Sequence, residues 1–318
     1  MQVFVTGGSG FVGGHLIEAL VGHGHRVRAL ARSDRSAAIV VGYGAEAVRA
    51  DLGELAAEHV RGCDALVHSA AFVEEWGTRD QFWQGNVVGT ERALAAAKGG
   101  GVARFVHVGT EAAVFDGHDL VDIDEDHPYP AKQRFLYSET KAEAERRVLA
   151  ADDASMVALS VRPRFIWGPR DTSVLPAILR AAKAGRFAWI GGGRSLTSTV
   201  HVDNVVAALL CALERGRGGR AYFVADDGTR TYRDFIAALA RTQGVELGER
   251  EIAAGVARSI AAVLEPMWRT LRRTSPPPVT RFAAAMMSCT VTVKTDRARA
   301  ELGWAPVIGV EDGLARMK

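Results

Sequence analysis

Cysteine is scarce in this chain: Cys63, Cys211 and Cys289 are the only three, far apart in sequence. No pair has metal-ligand spacing and no disulfide framework can be drawn, which points to a reducing compartment. His15, His23, His25, His68 and His201 show no ligand spacing either, so no metal is expected. Charge of one sign is also lacking. A net charge of +2 with scattered arginines argues against nucleic acid as a partner. No run of eighteen apolar residues occurs, so no transmembrane segment is predicted. The N-terminus opens straight into a strand, leaving no room for a signal peptide, and the expectation is a cytoplasmic protein. What remains, 48% hydrophobic and 24% charged over 318 residues, suits one large globular α/β domain with a smaller appendage.

Glycine, by contrast, is placed with purpose. The β-branched run Gln2–Thr6 enters Gly7-Gly8-Ser9-Gly10-Phe11-Val12-Gly13 and then an amphipathic stretch, Leu16 to Val21. A strand that ends in a glycine turn and opens a helix gathers unpaired N–H groups and the positive helix end at one point, where a pyrophosphate docks. Gly7 permits the turn, Gly10 lets the diphosphate approach, and Gly13 lets the helix pack on its strand. Phe11 and Val12 begin that helix.

Strand and helix patterns alternate through the first two-thirds, as in a parallel sheet covered on both faces. Strands are read at Gln2–Thr6, Arg26–Ala31, Ala47–Arg49, Ala65–His68, Arg104–Val108 and Met156–Arg162, with helices at Phe11–Gly22, Trp83–Lys98 and Phe135–Ala151. The expected fold is α/β, a Rossmann doubly wound parallel sheet with a smaller C-terminal α/β substrate-binding portion. Residues 1–170 would bind the dinucleotide, with 195–225 returning to that part, and 171–318 would mainly bind substrate. Ile252–Arg273 is helical in composition; a packed helix, a lid and a membrane-surface contact are all open readings.

Tyr137 and Lys141 stand four residues apart, on one face of a helix. A lysine cation held near a phenol favours the phenolate and lowers its pKa toward neutrality. Such a phenol exchanges a proton with a carbonyl or alcohol while hydride moves to or from nicotinamide.

Further motifs run almost end to end: Asp51-Leu52, His68-Ser69-Ala70-Ala71, Asn86-Val87-Val88-Gly89-Thr90, Arg162-Pro163 before Ile166-Trp167-Gly168-Pro169, and His201-Val202-Asp203-Asn204. With these, the chain resembles an extended short-chain dehydrogenase/reductase of the NAD-dependent epimerase/dehydratase superfamily, most like its 3β-hydroxysteroid dehydrogenase and dihydroflavonol-reductase-like branch. The resemblance implies that Thr110 orients the reacting oxygen, in a stretch where relatives commonly read Thr-Ser-Ser and this chain reads Gly109-Thr110-Glu111. It also implies that Lys141 bonds the nicotinamide ribose, that Ala70 and Ala71 line the cofactor path, that Asp51 and Leu52 flank the adenine, and that Pro163 and Ile166 lie near the nicotinamide. Asn86 is read as a structural tether. Relatives often dimerise through helices that include the one bearing Tyr137, so a homodimer is a further implication.

The choice of NAD or NADP turns on the end of the second strand. Arg32 takes the early position, Arg35 stands close and Asp34 comes late, which leans to NADP. Phe72, Trp76, Glu111 and Trp167 are the candidate substrate residues. The expected function is interconversion of a secondary alcohol and a ketone on a bulky apolar, sterol-like or polyketide-like substrate. A nucleotide-sugar epimerase or dehydratase with tightly bound NAD, using Arg170, Arg180 and Arg194, is the alternative, and a non-catalytic NAD(P) sensor a remote one.

Overall fold

Residues 1–317 are described by a computed structural model. Its main sheet has seven strands: β1 (Gln2–Thr6), β2 (Arg26–Ala31), β3 (Glu46–Arg49), β4 (Ala65–His68), β5 (Arg104–Val108), β6 (Val157–Pro163) and β7 (Ala221–Val224). They are all parallel, in the order β7-β6-β5-β4-β1-β2-β3. Val3, Phe4, Val5, Leu66, Val67, Phe105 and Val106 are wholly buried. Their unbroken apolar runs reflect a sheet with no wet face. The strand order reverses between β1 and β4, and a crevice at the carboxyl ends of such strands is where an α/β sheet binds its ligand.

Nine helices of eight residues or more complete the described chain: α1 (Phe11–Gly22), α2 (Asp34–Gly42), α3 (Gly89–Gly100), α4 (Leu136–Ala150), α5 (Val174–Lys183), α6 (Val202–Arg215), α7 (Tyr232–Arg241), α8 (Ala254–Thr270) and α9 (Arg281–Ser288). Leu16, Ile17 and Leu20 of α1 join Val205, Leu209 and Leu213 of α6 on one face of the sheet. Ala93, Leu94 and Ala97 of α3 join Val148 of α4 on the other. The helix expected over Trp83–Lys98 is interrupted: Trp83–Val88 forms a wide π-type turn before α3 begins. Gly101, at φ +74°, then stops α3 in the left-handed conformation that favours glycine.

A second sheet of four short strands runs Arg230–Thr231, Leu196–Thr197, Val291–Val293 and Leu120–Ile123. Leu120–Ile123 pairs in parallel with Val291–Val293, so a strand from the first half of the chain joins this second sheet. Trp167 is corrected here. It is 1% exposed, its indole donates to Asp226 at 2.8 Å, and its faces meet His201 and Phe235, so it is core of the C-terminal portion rather than a substrate wall.

Ile252–Arg273 is largely helical, as its composition implies. Ile252 lies in a short strand, and α8 covers Ala254–Thr270 with Ala257 and Ala261 buried beneath it. Arg258 donates to Ser288 and Cys289, and Arg269 donates to the Gly77 carbonyl and stacks over Trp76. Both arginines contact neighbouring segments while remaining exposed. Val256, Ile260, Val263 and Met267 form an exposed apolar line elsewhere on the helix. No helix among the described residues is long and apolar enough to cross a membrane.

Candidate active site

The glycine turn is as tight as its spacing implies. Gly7 has φ +71°, and a Cβ there would lie 2.7 Å from the Ala70 amide nitrogen. A Cβ on Gly13 would come within 2.2 Å of the Gly7 carbonyl oxygen, so α1 packs on the turn through bare backbone. Gly10 donates to Gly7 at 3.0 Å and stands at the N-terminus of α1, which has no side-chain cap. The uncapped N–H groups of the first turn of α1 fit a pyrophosphate. The Thr6 hydroxyl accepts from Ala70 and meets His68 Nδ1 at 2.8 Å, which fixes the Ser69-Ala70-Ala71 segment above the turn. Phe11 sets its ring edge-on to His15, with Val12 beside it on the core.

Beyond β2 and β3 lies a cavity of about 420 Å³ lined by Arg32, Ser33, Arg49, Ala50, Asp51 and Glu54. Asp34 pairs with Arg49 at 3.0 Å, whereas Arg32 makes no ion pair among the described residues. The Asp51 carboxylate caps its own turn at Gly53, and Leu52 packs against Gly89. Arg49 was not singled out from the sequence; it lies on the neighbouring strand, seventeen positions beyond Arg32.

Tyr137 and Lys141 project from α4, and Thr110 follows β5 at the N-terminus of a short 3₁₀ turn, Glu111–Val114. The Tyr137 hydroxyl faces Thr110 and the Glu111 carboxylate. Burial pushes the Tyr137 phenol well above its usual value, the Glu111 charge adds to that, and Thr110 opposes it. The expected depression by Lys141 is therefore corrected: the phenol is held neutral. Lys141, 4% exposed, instead lies 3.2 Å from His107 Nε2 and donates to the Val108 carbonyl at 2.9 Å. Burial lowers this lysine to about 8, against the opposing pull of Glu145. Pro163 ends β6 and is buried; Ile166 pairs with Val200 just beyond it.

Four side chains that the sequence did not mark complete the site. Phe282 of α9 sets its ring edge on Tyr137, centroids 5.6 Å apart, with Phe135 and Phe115 behind it. Arg164, just past β6, donates to Glu111 at 3.0 Å. His107, below Lys141, reaches Ser160, which donates to Glu145 at 2.7 Å. Glu145 is the one with a readable signal, four residues beyond Lys141 on the same helix face. Phe282 and Arg164 reach the site only by tertiary folding.

The remaining candidates hold the walls. Asn86 receives the Phe72 amide and donates to both the Phe72 carbonyl and Thr140, tying the substrate-side loop to α4 between Tyr137 and Lys141. Phe72 packs edge-on to Phe82. The Trp76 indole donates to the Arg273 carbonyl beneath Arg269, so it clamps the end of α8 to that loop. Arg170 pairs with Glu18 and Arg194 with Glu251, which commits two of the arginines considered for a sugar nucleotide. No cluster with metal-holding composition occurs among the described residues.

A neutral phenol and a buried ammonium facing the carboxyl end of such a sheet define a class, the NAD(P)-dependent oxidoreductases of the extended short-chain dehydrogenase/reductase type. The chain belongs to the 3-beta hydroxysteroid dehydrogenase/isomerase family, whose model matches residues 4–253. It is 42% identical, over 100% of its length and 96% of the relative's, to a 4-hydroxy-2-methyl-3-oxo-4-farnesyl-3,4-dihydroquinoline-1-oxide ketoreductase of Stigmatella aurantiaca. It is 34% identical to a 2-alkyl-3-oxoalkanoate reductase of Stenotrophomonas maltophilia, over 100% and 98% of the two chains. A decarboxylating sterol-4-alpha-carboxylate 3-dehydrogenase of Dictyostelium discoideum is 28% identical over 98% of each. Among solved structures, gox2253 superposes with a TM-score of 0.80 at 27% identity, covering 99% and 96% of the two chains. The dTDP-glucose 4,6-dehydratase DesIV of Streptomyces venezuelae, solved with NAD, gives 0.78 at 23% identity over 100% and 95%, a likeness of fold.

Proposed function

We propose that this oxidoreductase interconverts a ketone and a secondary alcohol on a bulky apolar substrate, with Tyr137 as general acid and base. The observation that carries the reading is the neutral Tyr137 phenol, which faces Thr110 and is walled by Phe282. A protonated phenol is the donor that a ketone oxygen needs as it gains charge. Thr110, whose hydroxyl donates to Glu111 at 2.9 Å in this structure, orients that oxygen on turning its proton from Glu111 to the substrate. Lys141, anchored through Val108 and His107, holds the nicotinamide ribose and places a positive charge below the reacting atoms. The bound nucleotide supplies or accepts the hydride. Residues 1–170, with 195–225, form the nucleotide part in this reading, and 171–318 mainly the substrate part.

NADP is the nucleotide favoured, because Arg32 faces the cavity beyond β2 unpaired while Asp34, the acid that would grip a ribose 2′-hydroxyl, is engaged by Arg49. For the substrate, the relatives' names divide into two kinds: a neutral farnesylated ring ketone, and oxoalkanoate or sterol substrates that bear a carboxylate. The phenylalanines around Tyr137 suit the apolar body of either.

The test is a ketone panel of both kinds with NADPH and NADH, comparing wild type with Tyr137→Phe. Loss of the general acid lowers kcat by roughly 10²–10⁴-fold. Turnover that survives the substitution removes the mechanism; turnover confined to sugar nucleotides would support an epimerase instead.

A further inference from the structure

We infer that Glu111 makes this a site for neutral ketones and closes it to substrates that carry a carboxylate beside the reacting carbonyl. The inference rests on the reading that Thr110 and Tyr137 bind the reacting oxygen, and it decides between the two substrate kinds set out above.

Glu111 and Arg164 are each 3% exposed. One oxygen of Glu111 accepts from Arg164 Nη1 at 3.0 Å and the other accepts from the Thr110 hydroxyl at 2.9 Å. A buried carboxylate therefore sits one hydrogen bond from the group that orients the substrate. In a β-keto acid the carboxylate carbon is two bonds from the carbonyl carbon, so a carbonyl held by Thr110 brings a second carboxylate beside Glu111. Like charges held away from water repel strongly.

The cation that would otherwise receive such a carboxylate is present but engaged. Arg164 offers a planar fork of five donors suited to bidentate carboxylate binding. Glu111 takes one arm, and Arg164 Nε is buried with no partner among the described residues. An engaged arginine with an orphaned donor is the arrangement of a carboxylate site whose counter-ion is built into the chain. Removing the Glu111 charge would release the fork to an incoming carboxylate.

The experiment compares methyl 3-oxodecanoate with freshly saponified 3-oxodecanoate, using the full chain and both reduced nucleotides. Wild type should favour the ester by on the order of 100-fold in kcat/KM. Glu111→Gln should shrink that preference at least tenfold, through a lower KM for the acid, and adding Arg164→Gln should abolish the gain. Wild type that accepts acid and ester within threefold overturns the proposal. So does an unmoved ratio in Glu111→Gln, or a gain that survives loss of Arg164. Should Glu111→Gln not melt as folded protein, Glu111→Ser replaces it, and the wild-type ratio alone still decides against the proposal if it is flat. A wild type that reduces no ketone defeats the function proposed above, and the charge rule is then read from binding. Decanoate, followed by tryptophan fluorescence, should bind Glu111→Gln at least tenfold more tightly than wild type; equal affinities overturn the rule.

Discussion

Arg32 and Arg49 face one cavity in different electrostatic states. Arg49 is matched by Asp34 at 3.0 Å, so much of its field is already answered, whereas Arg32 has no acid against it among the described residues. A phosphate on the adenine ribose would give Arg32 the charge-assisted contact it lacks, and a hydrogen bond to a charged group contributes about 1.5–3 kcal/mol. Arg32→Ala should accordingly weaken NADPH binding by roughly 10- to 100-fold. NADH, with no phosphate at that position, should change by less than about threefold, and Arg49→Ala should show a smaller version of the same bias. Fluorescence titration of the two reduced nucleotides measures this directly, and an equal loss for both would refute the proposed preference for NADP. The same scale explains why spacing misjudged Tyr137. Four residues place Tyr137 and Lys141 on one helix face, but their electrostatics depend on Glu111 and His107, which arrive from other segments.

Between elements, the contact with least tolerance joins the glycine turn to α1. A methyl group added at Gly13 would stand 2.2 Å from the Gly7 carbonyl oxygen, and backbone cannot swing aside as a side chain would. Gly13→Ala should therefore destabilise the protein by about 1–3 kcal/mol through overpacking and weaken either nucleotide by displacing the turn. Gly22, at the far end of α1, has nothing within 4 Å of such a Cβ, so Gly22→Ala should stay within about 0.5 kcal/mol of wild type. Urea unfolding together with nucleotide titration separates the two; equal effects would show that the close approach at Gly13 carries no weight. This strand–turn–helix was legible because its signals are local: an apolar run, three glycines and a 3.6-residue period lie within one short segment. α2 was missed, although Ser33 and Ser36 form a reciprocal cap at its start, because its apolar face is short and only Val40 is buried. The π turn at Trp83–Val88 exists where Asn86 turns inward to hold Phe72, and no periodicity announces a side chain chosen for a contact fourteen residues away. Phe282 and Arg164 were invisible for the same reason on a longer scale, since their partners Tyr137 and Glu111 lie far off in sequence.

Across the molecule, polar groups rather than gaps thread the sheet near the site, and this gives the protein a defined response to acid. His68 lies between Thr6 and Thr90, and His107 between Lys141 and Ser160, each 1% exposed. Burial lowers the His68 imidazole from 6.5 to about 3, with Lys141 adding to the shift, and burial and Lys141 likewise hold His107 well below its usual value. The unfolded chain therefore binds protons that the folded chain refuses. For a base with a depressed folded value, stability is full above the unfolded pKa of about 6.5 and declines as pH falls toward the folded one. Each such histidine costs up to about 1.4 kcal/mol per pH unit in that window. Glu145 acts lower down. The Arg162 charge and the hydrogen bonds from Arg162, Tyr129 and Ser160 outweigh its burial and hold its carboxyl below 4.5, so its contribution is present above the unfolded value and lost as pH falls through the folded one. Between pH 6.5 and about 4.5 the histidines should consequently dominate, with stability falling by up to about 2–3 kcal/mol per unit, and only below that should the carboxylate join them. Urea unfolding at stepped pH measures the slope, and His68→Asn should reduce it by close to one proton. A free energy of unfolding that stays flat from pH 7 to 5, or a slope that His68→Asn leaves intact, would mean that these imidazoles are charged or solvated in the folded protein.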